Sequence, residues 1–253
     1  MDTQNGTDIK RLLEKYPRSA VLTARELLGL GISRELQRSY VRSGWLKRVG
    51  VGAYLILGGV MSLDGALRAF QVGPHVSVHL GGYSALSEKH GMTHNIPASR
   101  KAELFGRRGE KLPAWFISAF GAECLLSLTD FLPAELGLAD FDAGGFSVKI
   151  SSVERAMLEM LYLSPATHTL RETYQIMELL TTAKPALAQE LLEHCTSVKV
   201  KRLFLLMAER AGHAWLKRID LSGIDLGSGI REIERGGKLD RKYGIVVGDL
   251  SEI

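Results

Sequence analysis

The stretch "SRELQRSYVRSGWLKRVGVGAY", residues 33–54, sets Arg34, Arg38 and Arg42 four residues apart and then runs through Lys47 and Arg48 into a Gly-Val-Gly turn. A helix beginning at Ser33 advances about 100° per residue, which brings Leu36 and Tyr40 within about 40° of each other on one side. Those two residues pack inward, and the three arginines share the opposite side with Gln37 at its flank. After Gly44, the run of Trp, Val, Tyr, Leu and Ile around the glycine turn reads as a hairpin.

Outward from this stretch, "TDIKRLLEKYP" reads as a helix capped by Thr7, with Ile9, Leu12 and Leu13 on one face and Pro17 just beyond its end. "VLTARELLGLG" carries Thr23 and Glu26 in capping-box spacing, and Gly29 and Gly31 break the helix before Ser33. Two helices joined by a short glycine turn form a helix-turn-helix, whose second helix enters the major groove. A basic hairpin directly after it is the wing of a winged helix. Arginine pairs two donors with guanine and glutamine does so with adenine, and either can hold phosphate, so Arg34, Gln37, Arg38 and Arg42 are candidate DNA readers. Lys47 and Arg48 on the wing would touch phosphate or the minor groove. Three arginines on one helical face are by themselves most often a solvated face. Their place between a glycine turn and a basic hairpin favours DNA.

The chain has 253 residues, 45% of them hydrophobic, and a net charge of +4. That length supports more than one compact unit. The charge is uneven: residues 1–57 hold 10 Lys and Arg against 5 acids, residues 58–197 hold 11 against 15, and residues 198–243 hold 11 against 6. Two basic regions around an acidic middle suggest a polyanionic partner. No apolar run reaches the roughly eighteen residues of a membrane helix, and the first residues lack the pattern of a secretory signal, so a cytoplasmic protein without membrane contact is expected. Cys124 and Cys195 stand in no metal-ligand spacing and read as small buried residues.

Beyond Gly58-Gly59 the chain reads as mixed α/β. A helix starts near Asp64, a strand covers "HVSVHL" (75–80), and a second helix is capped by Ser84. "AWFISAF" (114–120) and "GGFSVKI" (144–150) read as strands, and "SSVERAMLEMLYL" opens with Ser151 and Glu154 in capping-box spacing. Helices follow around 170–182 and 184–194. His75 with His79, and His90 with His94, have a tempting spacing, but no carboxylate or cysteine completes either pair, and surface or capping histidines are expected. Near the end, Val198, Leu203, Leu206 and Met207 form the buried stripe of a helix whose other side carries Lys199, Lys201, Arg202 and Arg210. Trp215 and Leu216 lead into a glycine-punctuated stretch that closes on the strand "YGIVV".

"LGS" at 226–228 followed by Asp240 imitates the turn and carboxylate of a nucleotidyltransferase site. That chemistry needs a second carboxylate two residues on to share the metals, and position 242 is Lys. No Ser-His-Asp set, phosphate loop or paired-carboxylate motif stands out either, so neither an enzyme nor a cofactor or metal is expected. The fold class is thus α+β: an N-terminal winged helix-turn-helix over residues 1–58 and a larger mixed α/β C-terminal domain over residues 59–253.

"WLKRVGVGAYLI", "HLGGYSALSEKHGM", "SSVERAMLEML", "KVKRLFLLMAERAGHAWLKRIDLSGIDLGSG" and "GGKLDRKYGI" together resemble the AbiEi family, the antitoxins of bacterial type IV toxin–antitoxin (abortive infection) systems. The likeness spans nearly the whole chain and is most specific in its final stretch. It implies a winged helix that binds inverted repeats in double-stranded DNA upstream of its own operon and represses it. It implies further that the C-terminal domain counters a nucleotidyltransferase-like toxin, without requiring a stable complex. Candidates for neutralisation are the basic residues Lys199, Lys201, Arg202, Lys217 and Arg218, while Trp215 and Asp225 are expected to fix the loop. The alternative is a winged-helix regulator whose C-terminal domain senses a ligand or assembles oligomers.

Overall fold

The computed structural model describes residues 2–73, 76–93 and 101–250, with side chains from Ile9 onward. The first part of the chain runs α1 (Asp2–Lys15), β1 (Leu22–Thr23), α2 (Ala24–Gly29), α3 (Arg34–Arg42), β2 (Leu46–Gly50), β3 (Ala53–Ile56) and α4 (Leu63–Val72). It continues with β4 (His79–Leu80), α5 (Gly82–Ser84) leading into a π-helical turn (Ala85–Lys89), β5 (Ala102–Gly106), α6 (Ala114–Phe120), β6 (Cys124–Leu128), β7 (Leu138–Asp142) and β8 (Ser147–Ser151). The last part holds α7 (Val153–Leu163), α8 (Leu170–Glu178), α9 (Pro185–His194), α10 (Val198–Arg210), β9 (Arg231–Glu232), β10 (Lys238–Asp240) and β11 (Ile245–Val247). Among the described residues the strands form sheets of order β1-β3-β2, β6-β5-β4-β8-β7 and β10-β11-β9. The mixed helix and strand content and the N-terminal winged helix are those expected.

The chain divides into two compact units, one of Met1–His79, Gly109–Leu125 and Asp140–Lys149, the other of Leu80–Arg108, Leu126–Ala139 and Ile150–Ile253.

The first unit contains the winged helix. Thr23 caps α2 and forms the full capping box with Glu26, so two free backbone donors are satisfied reciprocally. Gly31 turns the chain at φ 83°, which a residue with a Cβ adopts only with strain, and Ser33 then caps α3 through the Leu36 amide. Leu12, Leu27, Ile32, Tyr40, Leu46 and Ile56 close a small core under the two helices and the hairpin. β2 and β3 pair antiparallel with an irregularity between Arg48 and Gly50. Arg68 of α4 is buried and meets Glu26 at 2.5 Å, tying α4 to the helix-turn-helix.

The second unit is built around α7 and α10. Met157, Leu161, Leu203, Phe204 and Met207 are buried in its core. At one end lies a buried polar cluster: Glu103 accepts from the Tyr83 amide at 2.7 Å and meets His168 at 2.5 Å. Glu159 accepts from the Gly82 amide, the Ser151 hydroxyl and Arg155 Nε. Each carboxylate is thereby paired inside the protein, which removes most of the cost of burying it.

Several sequence expectations change. α1 begins at Asp2, so Thr7 lies within the helix rather than at its cap. The 75–80 strand shortens to His79–Leu80, with His75 outside the described residues. Helix α5 starts at Gly82; Ser84 instead accepts from the Glu103 amide. Residues 114–120 form a helix, not a strand: Pro113 sits at its cap position, and Phe116 and Phe120 meet at 5.4 Å on one helical face. An apolar aromatic run this short has no period that separates the two outcomes. Ser152, not Ser151, caps α7, and Glu154 accepts from the Lys184 amide rather than closing a box.

Candidate nucleic-acid interface

On α3 the buried side is made by Gln37 and Tyr40, and the outer side exposes Arg34, Arg38 and Arg42 together with Glu35. The helix and the hairpin enclose a groove of about 580 Å³ lined by Glu35, Arg38, Val41, Arg42, Arg48 and Tyr54. Arg48 lies opposite Tyr54 in the β2–β3 register, so the two share a face of the ribbon, and that face turns toward the helix. Lys47, the neighbouring residue, is exposed on the other face of the ribbon. Arg48 Nε donates to the Gly50 carbonyl at 3.1 Å, which holds the guanidinium against the wing turn.

Five of the six expected DNA-facing residues are therefore exposed on two adjoining elements, and three of them line one groove. Such a concave surface suits phosphates and base edges. Glu35 modifies its chemistry, since a carboxylate repels phosphate and can accept a hydrogen bond from cytosine N4. Sequence reasoning passes over Glu35 because acids in a basic helix give no positive signal.

Gln37 is placed differently from the expectation. It is 2% exposed, and its amide donates to the carbonyls of Ala24 at 3.3 Å and Ile32 at 2.9 Å. It locks the turn between α2 and α3 and has no free donor pair to offer a base. Helical phase put it at the flank of the arginine face. The packing of α2 against α3 covers that flank.

The basic C-terminal residues separate in the same way. Lys201 and Arg202 are 4% and 3% exposed, so the helix side read as basic and outward is largely interior. The Arg202 guanidinium donates to the carbonyls of Leu226, Gly227, Gly229 and Gly244 at 2.6–3.2 Å. It gathers the "DLGSG" and "KYG" segments onto α10. Lys199 donates to the carbonyls of Tyr162 and Ser164, and burial holds its ammonium below the usual lysine range. Within this set, Lys217 and Arg218 are the exposed residues. Trp215 is buried, donates to the Leu180 carbonyl at 2.8 Å and stacks on His213, and Asp225 accepts from the Gly227 amide, which are the loop-fixing contacts expected.

The described histidine of each pair meets a backbone carbonyl. His79 is 1% exposed with Nδ1 2.8 Å from the Ser77 carbonyl, and His90 Nε2 is 2.9 Å from the Ser151 carbonyl. His94 lies outside the described residues. Among the described residues no group of three or more His, Cys, Asp or Glu side chains could hold an ion. No helix among them is long and apolar enough to cross a membrane. Asp240, the carboxylate of the nucleotidyltransferase-like pattern, accepts from the Tyr243 amide within a turn.

Comparison with known proteins places these features in context. Residues 99–248 match a family described as "Transcriptional regulator, AbiEi antitoxin, Type IV TA system", and residues 5–98 match "Transcriptional regulator, AbiEi antitoxin N-terminal domain". No curated protein matches the chain. Among solved structures, the crystal structure of the RV2827C protein from Mycobacterium tuberculosis is similar with a TM-score of 0.61 and 14% identity, over 97% of this chain and 92% of that one. At that identity the likeness concerns the fold.

Proposed function

The chain belongs to the AbiEi antitoxin family of transcriptional regulators of type IV toxin–antitoxin systems, and from that membership we propose a protein with two roles. The winged helix binds inverted repeats in double-stranded DNA upstream of its own operon and represses it. The C-terminal domain, residues 59–253, counters a nucleotidyltransferase-like toxin. The observation that carries the first role is the groove in which Arg38 and Arg42 of the recognition helix and Arg48 of the wing converge. Arg34 lengthens the basic face of the helix, and Lys47, on the other face of the ribbon, offers a separate phosphate contact. For the second role Lys217 and Arg218 are the remaining side-chain candidates. Lys199 and Arg202 act from within, by holding the shape of that region, and Lys201 is buried beside them on α10.

Gel-shift titration with the duplex upstream of the gene tests the DNA role. The expected binding weakens steeply with salt. Arg38→Ala and Arg42→Ala should each cost about tenfold and lower the salt slope by about one for each phosphate that is no longer neutralised. Equal affinities for both variants and the native chain would refute this reading. Co-expression with a nucleotidyltransferase-like toxin encoded in the same operon tests the second role: growth rescue by the native chain that weakens in a Lys217→Ala, Arg218→Ala double variant is the expected result.

A further inference from the structure

The end of the wing strand β2 is packed from a part of the chain far beyond the winged helix. Gly50 closes β2, and a Cβ built on it would stand 2.5 Å from the Cβ of Trp115 and 2.6 Å from its ring. Gly50 has no positive φ, so its lack of a side chain answers to this close approach rather than to backbone conformation. The carbonyl of the same residue accepts the hydrogen bond from Arg48 Nε. Behind it, the Trp115 ring packs on Phe70 with centroids 5.5 Å apart and on Phe116 at 6.1 Å, and Phe70 and Phe116 are each 1% exposed. The indole is thus wedged between the end of β2 and a rigid aromatic cluster, and it bears on the residue whose carbonyl orients Arg48.

We propose that Trp115 is a positioning residue for DNA binding, which sets the Gly50 carbonyl and through it the Arg48 guanidinium in the groove beside the recognition helix. This rests on the wing's DNA role proposed above. A two-residue wing turn carried by short strands has little stiffness of its own. A bulky side chain pressed against its bulge removes the freedom that the guanidinium would otherwise lose on binding, which is how preorganisation improves affinity.

The test is a double-mutant cycle on the full chain, by anisotropy titration of a fluorescent duplex carrying the sequence upstream of the gene, at several salt concentrations. Arg48→Ala should weaken binding about tenfold and lower the salt slope by about one. Trp115→Ala should show a similar loss and a similar drop in slope, and the double variant should bind no worse than Arg48→Ala alone within about twofold. Trp115→Phe, which keeps an aromatic ring on Phe70, should restore most of the affinity. Gly50→Ala disturbs the same contact from the wing side and should reproduce the Trp115→Ala loss, which decides the matter if Trp115→Ala does not fold. Additive losses in the cycle, or unchanged binding in Trp115→Ala or Gly50→Ala while Arg48→Ala weakens it, would overturn the positioning role and leave the wing reading intact. Unchanged binding in Arg48→Ala would overturn both.

Discussion

Replacing Arg202 with methionine keeps the bulk of the side chain on α10 and removes every hydrogen bond that its guanidinium makes to the C-terminal loops. Four carbonyls lose a charged donor, those of Leu226, Gly227, Gly229 and Gly244. A hydrogen bond to a charged group contributes about 1.5 kcal/mol net, which would put the full set near 6 kcal/mol. Gly227 and Gly229 are exposed, so water replaces the donor at those carbonyls, while Leu226 and Gly244 are half-buried and recover less. The expected loss is therefore about 3 kcal/mol, a fall in melting temperature of about 6–12 °C for a unit of this size. Urea unfolding followed by tryptophan fluorescence reads this loss, since buried Trp215 reports on the same unit. Arg202→Lys keeps the charge but reaches fewer carbonyls and should recover less than half of the difference. Hydrogen exchange should accelerate at the amides of 226–230 and 243–245 in both variants. A loss below about 1 kcal/mol in Arg202→Met, or native stability in Arg202→Lys, would refute the argument that this side chain gathers the loops.

Two further outcomes follow from burial. Gln37→Ala should lower stability by about 2 kcal/mol in a thermal or denaturant melt, because the Ala24 and Ile32 carbonyls lose their donor; native stability with a changed DNA sequence preference would instead make Gln37 a base reader. Cys195 is 2% exposed and burial pushes its thiol above the usual range, whereas Cys124 is partly exposed. Iodoacetamide at neutral pH should therefore label Cys124 well ahead of Cys195 in the native chain and both at similar rates in denaturant, and early labelling of Cys195 would contradict the packing of α9 against the core.

The winged helix was legible because its signals are local. Thr23 and Glu26 make a capping box from a spacing of three, Ser33 caps the next helix, and the glycine turn at 50–52 announces a hairpin. The helix at 198–210 was legible for the same reason, through the apolar stripe of Val198, Leu203, Leu206 and Met207. The strand read at 114–120 and the caps placed at Ser84 and Ser151 failed where neighbours distant in sequence decide the outcome: Phe70 beneath Phe116, the Glu103 amide on Ser84, and Glu159 on Ser151.

The same division runs through the functional residues. Sequence by itself determined that Arg34, Arg38, Arg42, Lys47 and Arg48 lie on one helix and one hairpin, because helical and strand periods follow from the backbone alone. It could not separate a cation that meets solvent from one that meets carbonyls, because that depends on which segment packs above it. Gln37, Lys201 and Arg202 have the composition of a surface, yet the donors of Gln37 are taken by Ala24 and Ile32, and those of Arg202 by the loops at 226–244. Tertiary structure decided this, since a buried carbonyl left without a donor costs more than the burial of a paired side chain that supplies one.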